Sequence, residues 1–307
     1  MAVLDFDKFK SDFSFHNHRP RVFSWPILGT LIISAGLFIL YKLNQYVTIW
    51  DSWREALGNA TNFCEMNRYD QLIVQPSNTW SNIGFIIVGL IFIGIARNDH
   101  HYSERHSVKN LLAKYPGFSA LIGLSALYMG IGSFLFHATL TRVFQKLDQT
   151  GMYLLVISFL AYTLFKLFPV IKFRGKLHAS NKFFITCAVI LQLLFFFYLW
   201  KLPLNIVFPS MTTAVFLLNF FIIKRMKKNI GLVGLLKASV ITLLISSSVW
   251  ILDITDKLCS PTSIWQGHSL WHILNAMSIF LAYLYYRSEI FQNEQEEESE
   301  NINGQLA

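Results

Sequence analysis

The sequence predicts an all-α integral membrane protein: a bundle of seven transmembrane helices with one additional N-terminal transmembrane helix, eight spans in all. Hydrophobic residues make up 53% of the 307-residue chain, and charged residues only 14%. An average soluble domain has about 25% charged residues. Apolar stretches of roughly 20 residues, the length that crosses a bilayer as a helix, recur along the chain, and the mean hydropathy is +0.42.

Hydropathy alone places the eight spans in order. The first follows a polar start with no small-residue cleavage site, so we interpret it as an uncleaved anchor rather than a signal peptide. The fifth and sixth are separated by Lys201-Leu202-Pro203, where the proline interrupts a helix. The predicted spans are 25–47, 79–97, 117–137, 147–168, 183–200, 204–223, 231–253 and 266–287.

These spans divide the chain into four parts. Residues 1–24 form a cytoplasmic N-terminal segment, 25–47 the additional anchor, and 60–287 the seven-helix domain. Residues 288–307 are rich in Glu, Gln and Asn without an apolar period, and we expect this acidic tail to be disordered.

The basic residues predict the orientation. Eighteen of the 26 Lys and Arg residues fall in the N-terminal segment, in 97–116, 166–182 and 224–229, and at Arg287; two lie within spans. The other six are on the opposite side: Arg54, Arg68, Arg142, Lys146, Lys201 and Lys257. The positive-inside rule therefore places both termini in the cytoplasm. Because these cations lie in short loops between spans, the net charge of +8 does not indicate a nucleic-acid partner.

Two polar blocks interrupt the apolar sequence. One runs through Ser133 and His137 to Asp148, at the outward ends of the third and fourth spans; the other holds His268 and His272, at the outward start of the eighth. Ionisable groups are costly at membrane depth and usually functional. Residues four apart share a helix face, so Ser133 and His137 share a face of the third span, and His268 and His272 share a face of the eighth. Because all of these residues lie at outward ends of spans, the two blocks are at the same depth.

Three neutral imidazoles with one open position are typical of a catalytic zinc site, where the metal lowers the pKa of bound water to about 7. The sequence therefore predicts His137, His268 and His272 as zinc ligands. Asp148 is the candidate to orient that water or move its proton, and the Ser133 hydroxyl to stabilise developing negative charge. The HxxxH spacing of His268 and His272 lacks the glutamate of HExxH, so a zinc metalloprotease is not indicated.

The order of these residues resembles the alkaline ceramidase family, part of a superfamily of seven-helix transmembrane hydrolases that includes the adiponectin receptors. The resemblance rests on Ser-x3-His-x10-Asp and on Gly267-His268-x3-His272. It extends to Phe63-Cys64-Glu65-Met66-Asn67, to Asn78-Thr79-Trp80-Ser81-Asn82, and to Trp250, Asp253 and Cys259. It covers about residues 60–287, and the additional first helix departs from it.

The resemblance implies a seven-helix bundle that holds zinc through the three histidines, with Asp148 and Ser133 in supporting catalytic roles. The implied reaction is hydrolysis of the amide bond of ceramide, or of a related N-acyl membrane lipid, to a sphingoid base and a fatty acid. The active site would face the extracytoplasmic side, periplasmic or lumenal. The acyl chain, the headgroup and the oligomeric state stay open.

The resemblance also bears on two further features, a calcium site and a disulfide. The resemblance implies that animal members of the family bind calcium through an acidic segment before the first core helix. The corresponding segment here is 62–75. Glu65 and Asn67 fit that pattern, but Asn62 and Gln75 replace acidic residues. Calcium favours charged oxygen ligands, so we expect no tight calcium site. Cys64 and Cys259 both fall on the outward side, and we expect them to form a disulfide in an oxidising compartment.

Three questions stay open at this level. Asp253 is either a partner that orients a ligand histidine or a structural group at a helix end, and Asn275 poses the same choice, with structure favoured. A metal-stabilised heptahelical receptor or scaffold without hydrolytic activity is the main alternative function. A transporter is less favoured, because the polar groups cluster at one face rather than at the midplane.

Overall fold

Helices form almost the whole of the structure, as the sequence predicts. The structure, a computed structural model, describes residues 21–44, 50, 63–103, 108–173, 176–225 and 232–289. Residues 1–20, 45–49 and 290–307, with the candidate Asn62, lie outside this part. The helices described are α1 Arg21–Asn44, α2 Pro76–Ser81, α3 Ile83–Ser103, α4 Leu111–Lys114, α5 Gly117–Thr139, α6 Arg142–Leu167, α7 Asn181–Tyr198, α8 Leu204–Arg225, α9 Val233–Ile254 and α10 Gly267–Ser288.

Each predicted span coincides with a long helix, and seven helical stretches in the described residues are long and apolar enough to cross a membrane. They are α1, α2 continuing into α3, α5, α6, α7 extended by the 3₁₀ turn Leu199–Lys201, α8 and α9. The helix α10 is not among these seven. Its sequence carries His268, His272, Asn275 and Arg287, all of which are buried. The eighth span therefore stays a prediction.

Two glycines allow α3 and α5 to pack closely. A Cβ atom at Gly89 would lie 2.6 Å from the backbone nitrogen of Leu127, and one at Gly123 would lie 2.9 Å from the carbonyl oxygen of Gly89. Small residues at such crossings let the backbones of membrane helices approach each other. This contact sets α5, which carries Ser133 and His137, firmly against α3.

Buried ion pairs fix the end of α10 that lies away from its histidines. The guanidinium of Arg287 pairs with the carboxylate of Asp99 on α3. The ammonium of Lys166 on α6 lies 2.7 Å from a carboxylate oxygen of Glu289 and donates to Asn219 on α8 at 2.8 Å. Burial raises the pKa of the Glu289 carboxyl, and the neighbouring ammonium only partly offsets this effect.

These pairs correct two details of the sequence analysis. Lys166 and Arg287 were counted as loop cations, but both are buried inside the bundle. Glu289 belongs to the segment expected to be disordered, yet it is 3% exposed and paired. Local composition is misleading here because a charged side chain near a helix end looks the same in sequence whether it meets solvent or a buried partner.

The loop predicted between the fourth and fifth spans contains a short hairpin. Strand β1, Val170–Phe173, pairs antiparallel with β2, Lys176–Ala179, in the register that sets residue 170 opposite 179. The two ends of the hairpin are joined by a hydrogen bond from the backbone N–H of Ser180 to the carbonyl of Pro169, at 3.0 Å. The hairpin lies at the opposite end of α6 from Asp148.

The segment 63–75 covers the histidine-bearing end of the bundle. A disulfide joins Cys64 to Cys259, with the Cα atoms 5.4 Å apart. The N–H of Val74 donates to the carbonyl of Ala138 at 2.9 Å, where α5 ends. Leu140 has a left-handed φ of 50° at this C-cap, and its N–H returns to Phe136. The segment is therefore attached both to α5 and to the loop before α10.

We expect Asp99→Asn to lower the free energy of unfolding by about 3–5 kcal/mol, because it leaves the buried Arg287 guanidinium without its carboxylate. Thermal unfolding in detergent would measure the change. The matched control is Asp256→Asn, at an exposed residue whose φ of 57° asparagine also tolerates. Equal melting temperatures for both variants would contradict the structural role of this ion pair.

Candidate metal centre

Three histidines from two helices meet at one end of the bundle. His137 lies in the last turn of α5, and His268 and His272 lie in the first turns of α10. Their exposed fractions are 1%, 5% and 0%. The Nε2 atoms of His137 and His268 lie 3.1 Å apart, and one ligand atom from each of the three rings lies within 4.8 Å of the others. The two polar blocks of the sequence therefore do reach the same place.

Hydrogen bonds hold two of these rings from behind. The Nδ1 atom of His137 lies 2.8 Å from Oε1 of Gln75, at the start of α2. The Nδ1 atom of His272 lies 2.7 Å from Oγ of Ser81, at the end of α2. Gln75, the N-cap residue of α2, and Ser81, its last residue, thus each contact a ligand candidate on one of the two longer helices.

The donor set fits a zinc ion. The Nε2 atom of His272 is buried and has no hydrogen-bond partner within the described part of the chain, and Nε2 of His137 and His268 face each other. A tetrahedral zinc with Zn–N bonds of about 2.0–2.1 Å separates its ligand nitrogens by roughly 3.3 Å, close to the 3.1 Å between the Nε2 atoms of His137 and His268. Imidazole nitrogens suit zinc among the divalent metals, although they also bind copper, iron and nickel.

Ser133 and Asp148 lie beside this cluster. Ser133 is buried one helical turn before His137 on α5, and its hydroxyl hydrogen-bonds the carboxylate of Asp148 on α6. Gly132 makes the contact between the helices: a Cβ there would lie 3.0 Å from the backbone nitrogen of Asp148. A larger residue at 132 would push α6, and the carboxylate with it, away from the histidines.

Aromatic rings surround the imidazoles. The ring of Phe63 lies 4.3 Å from that of His268 and 4.9 Å from that of His137, between ring centroids. The ring of Trp271 stacks on His268 at 5.3 Å. Apolar surroundings of this kind exclude water and strengthen electrostatic interactions within the site.

Asp253 lies at the end of α9, beside the first turn of α10. Its carboxylate faces the backbone N–H groups of His268, Cys64 and Gly267, at the positive N-terminus of α10. Of the two roles considered from sequence, this contact pattern supports the structural one. Gly267 is required for it, because a Cβ there would meet the Asp253 side chain at 2.8 Å.

The candidate calcium residues have partners within the chain. The carboxylate of Glu65 accepts the N–H groups of Ser77 and Asn78, each at 2.8 Å, in the first turn of α2. The Oδ1 atom of Asn67 accepts from Nε2 of Gln75 at 2.7 Å. These contacts order the segment 63–75 around the start of α2. Among the described residues, the three histidines are the one group of three or more His, Cys, Asp or Glu side chains placed to hold a metal.

Asn275 bonds between helices. Its Nδ2 atom donates to Oγ of Ser246 on α9 at 3.0 Å and to the carbonyl of Trp271 at 2.9 Å. These contacts agree with the structural role favoured from sequence.

Sequence reasoning missed the parts of the site that α2 supplies. In the sequence, Gln75 stands out only because it replaces an acidic residue, and Ser81 only because it belongs to the motif at 78–82. Neither has a local signal of function, because each reaches a histidine far away in the chain, 62 and 191 positions respectively. The available signal is the polar run from Gln75 to Asn82, which extends into the start of the second predicted span.

Comparison with known proteins gives consistent matches. A family model described as "Ceramidase" matches residues 58–304. An alkaline ceramidase of Arabidopsis thaliana is 26% identical over 236 residues, which cover 71% of this chain and 79% of that protein. Alkaline ceramidase 1 of Homo sapiens is 25% identical over 226 residues, covering 71% and 77% respectively. The matched range contains the histidine cluster, Ser133 and Asp148, whereas α1 lies outside it.

We expect the purified protein to bind one zinc ion per chain, and His272→Ala to abolish stoichiometric binding, because two imidazoles alone leave the metal poorly held. Elemental analysis after dialysis would measure the metal content. His101→Ala, at an exposed histidine near the end of α3, is the matched control and should keep its zinc. Full zinc content in His272→Ala would contradict the assignment of the ligands.

Proposed function

The chain belongs to the ceramidase family, and on that premise we propose that it is an integral-membrane, zinc-dependent amidase. Its substrate is ceramide or a similar N-acyl lipid, and its products are a sphingoid base and a fatty acid. The observation that carries the proposal is the buried cluster of three imidazoles with a hydrogen-bonded serine and aspartate beside it. This constellation provides both a metal site and a group that can transfer protons.

His137, His268 and His272 would hold the zinc ion. When bound, zinc supplies Lewis-acid chemistry, polarising the carbonyl of the amide and lowering the pKa of a water molecule. The chain contributes neutral imidazoles in an apolar, aromatic-lined site. Because this environment excludes bulk water, developing charge is stabilised more strongly than it would be in solvent.

Asp148 acts as the proton carrier. Its carboxylate accepts one proton from the attacking water, whose oxygen forms a bond to the carbonyl carbon of the amide. The same carboxyl then donates that proton to the amide nitrogen as the C–N bond breaks, which yields the amine and the carboxylic acid. One group can perform both transfers because it is returned to its starting state. Ser133 holds the carboxylate through its hydroxyl.

Ser133 has a second role in this scheme. It lies one helical turn before His137 on α5. Once Asp148 has taken up the proton of the water, its O–H can donate to the Ser133 oxygen, and the Ser133 hydroxyl proton is then free for the carbonyl oxygen of the substrate as that oxygen gains negative charge. A single donor of this type lowers the barrier by about 3–4 kcal/mol in other acyl-transfer enzymes.

An apolar cavity of about 90 Å³ lies near the site, lined by residues of α5, α6, α8, α9 and α10. Met129, Met152 and Trp271 line it within one turn of Ser133, Asp148 and His272 respectively, and Ala282 and Tyr286 line it towards the opposite end of α10. We assign it to the acyl chain of the substrate. Its long apolar walls match a hydrocarbon tail, and its position places the amide beside the imidazoles.

The orientation proposed for the protein follows from its charges. The excess of Lys and Arg in the loops predicted at the far end from the histidines supports an orientation with both termini in the cytoplasm and the zinc site near the extracytoplasmic face. A disulfide between Cys64 and Cys259 supports the same orientation, because disulfides form in oxidising compartments.

We expect Asp148→Asn to lower kcat by about 10²–10⁴-fold, because asparagine cannot carry the proton, while zinc content stays unchanged. Ser133→Ala should lower kcat by a smaller factor. Release of fatty acid from a panel of N-acyl lipids by purified protein would measure both. Wild-type rates in Asp148→Asn would remove the proposed mechanism, and absence of hydrolysis in the zinc-loaded wild type would favour a receptor or scaffold.

We expect Ala282→Phe to shift the preference towards shorter acyl chains, because the larger ring occupies the part of the cavity remote from the metal. Competition between N-acyl lipids of different chain length would measure the ratio of kcat/KM values. Ile273→Phe, on the same helix but 50% exposed, is the matched control and should keep the wild-type preference. An unchanged preference in a folded, active Ala282→Phe protein would exclude this cavity as the acyl site.

A further inference from the structure

We propose that Gln75 and Ser81 are positioning residues that fix the tautomers of His137 and His272, so that both Nε2 lone pairs face the metal. The inference rests on the metal site of the proposed function and names the groups that prepare it. Gln75 is the N-cap residue of α2 and Ser81 is its last residue. The helix α2 itself supplies no metal ligand. Partners of this kind orient metal-binding imidazoles and raise their basicity.

The amide of Gln75 determines the proton position on His137. Its Nε2 atom donates to Oδ1 of Asn67 at 2.7 Å, so its Oε1 atom faces the imidazole. A carbonyl oxygen only accepts hydrogen bonds. Nδ1 of His137, 2.8 Å away, must therefore carry the proton, and Nε2 is left with a lone pair. Gln75 is fully buried, and its backbone N–H also donates to the carbonyl of His137 at 3.1 Å.

Ser81 acts on His272 in the same way. Its hydroxyl proton is used in the hydrogen bond to the carbonyl of Asn78, at 2.9 Å. The hydroxyl oxygen, 2.7 Å from Nδ1 of His272, and the backbone carbonyl of Asn78, which also contacts this ring, are then both acceptors for Nδ1–H. The lone pair of His272 is thus on Nε2, the buried atom that has no partner among the described residues.

The two contacts make α2 a support for ligands on two different helices. His137 belongs to α5 and His272 to α10, and α2 hydrogen-bonds both from the side away from the metal. The Cys64–Cys259 disulfide attaches the segment before α2 to the loop before α10. The carboxylate of Glu65 in the same segment accepts the N–H of Ser77, in the first turn of α2. Metal affinity should therefore depend on residues that never touch the metal.

The experiment measures zinc affinity of the full-length protein in detergent by competition with a chelator, without substrate. Gln75→Leu and Ser81→Ala each remove an acceptor and should weaken zinc binding about 10–100-fold. Gln75→Glu and Ser81→Thr keep an acceptor oxygen and should retain affinity within a few-fold. Gln71→Leu, at an exposed glutamine, is the control and should bind as the wild type does. The visible absorption of the cobalt-substituted protein should change in Gln75→Leu but not in Gln75→Glu.

Wild-type zinc affinity in both Gln75→Leu and Ser81→Ala would overturn the inference. Equal loss in Gln75→Glu and Gln75→Leu would overturn it for Gln75, since a purely packing role predicts that result. Melting temperatures of the metal-free variants separate misfolding from loss of affinity, and Ser81→Ala tests the idea if Gln75→Leu does not fold. A wild type that binds zinc with the predicted pattern but hydrolyses no N-acyl lipid would remove the proposed function alone.

Discussion

Water is scarce inside a membrane-spanning bundle, so buried polar groups depend on partners supplied by the chain itself. This constraint organises both ends of the structure. At one end the imidazoles of α5 and α10 are hydrogen-bonded from behind by α2, and their remaining nitrogens converge on one point. At the other end the charges of Arg287 and Lys166 are matched by buried carboxylates. Between them, serine pairs such as Ser239 and Ser278 join α9 to α10.

The helix α10 connects these two ends. Its first turns carry two ligand candidates, and its last residues are held by ion pairs and by Asn110, whose amide donates to the carbonyls of Tyr286 and Arg287. Asp253 and Gly267 define where α10 begins, because the carboxylate faces its first N–H groups. A helix fixed at both ends holds its side chains within the small tolerance that a metal site requires.

The segment before α2 gives the site a third wall. Phe63 packs on two imidazoles, Glu65 receives the first N–H groups of α2, and Gln75 joins His137 to Asn67. These residues contact and enclose the histidines, and they account for polar residues that hydropathy alone would leave unexplained in an apolar region.

The sequence by itself determined the membrane class, the positions of the long helices and the convergence of the histidines, because bilayer thickness sets helix length and four residues make one turn. It also indicated Ser133 and Asp148 as neighbours of the cluster. Only the tertiary structure decided that Gln75 and Ser81 hydrogen-bond His137 and His272, that Asp253 lies beside the start of α10 and that Lys166 pairs with Glu289. The contacts of Gln75 and Ser81 join residues 62 and 191 positions apart, and all of these contacts depend on how helices pack, which no local pattern of residues records.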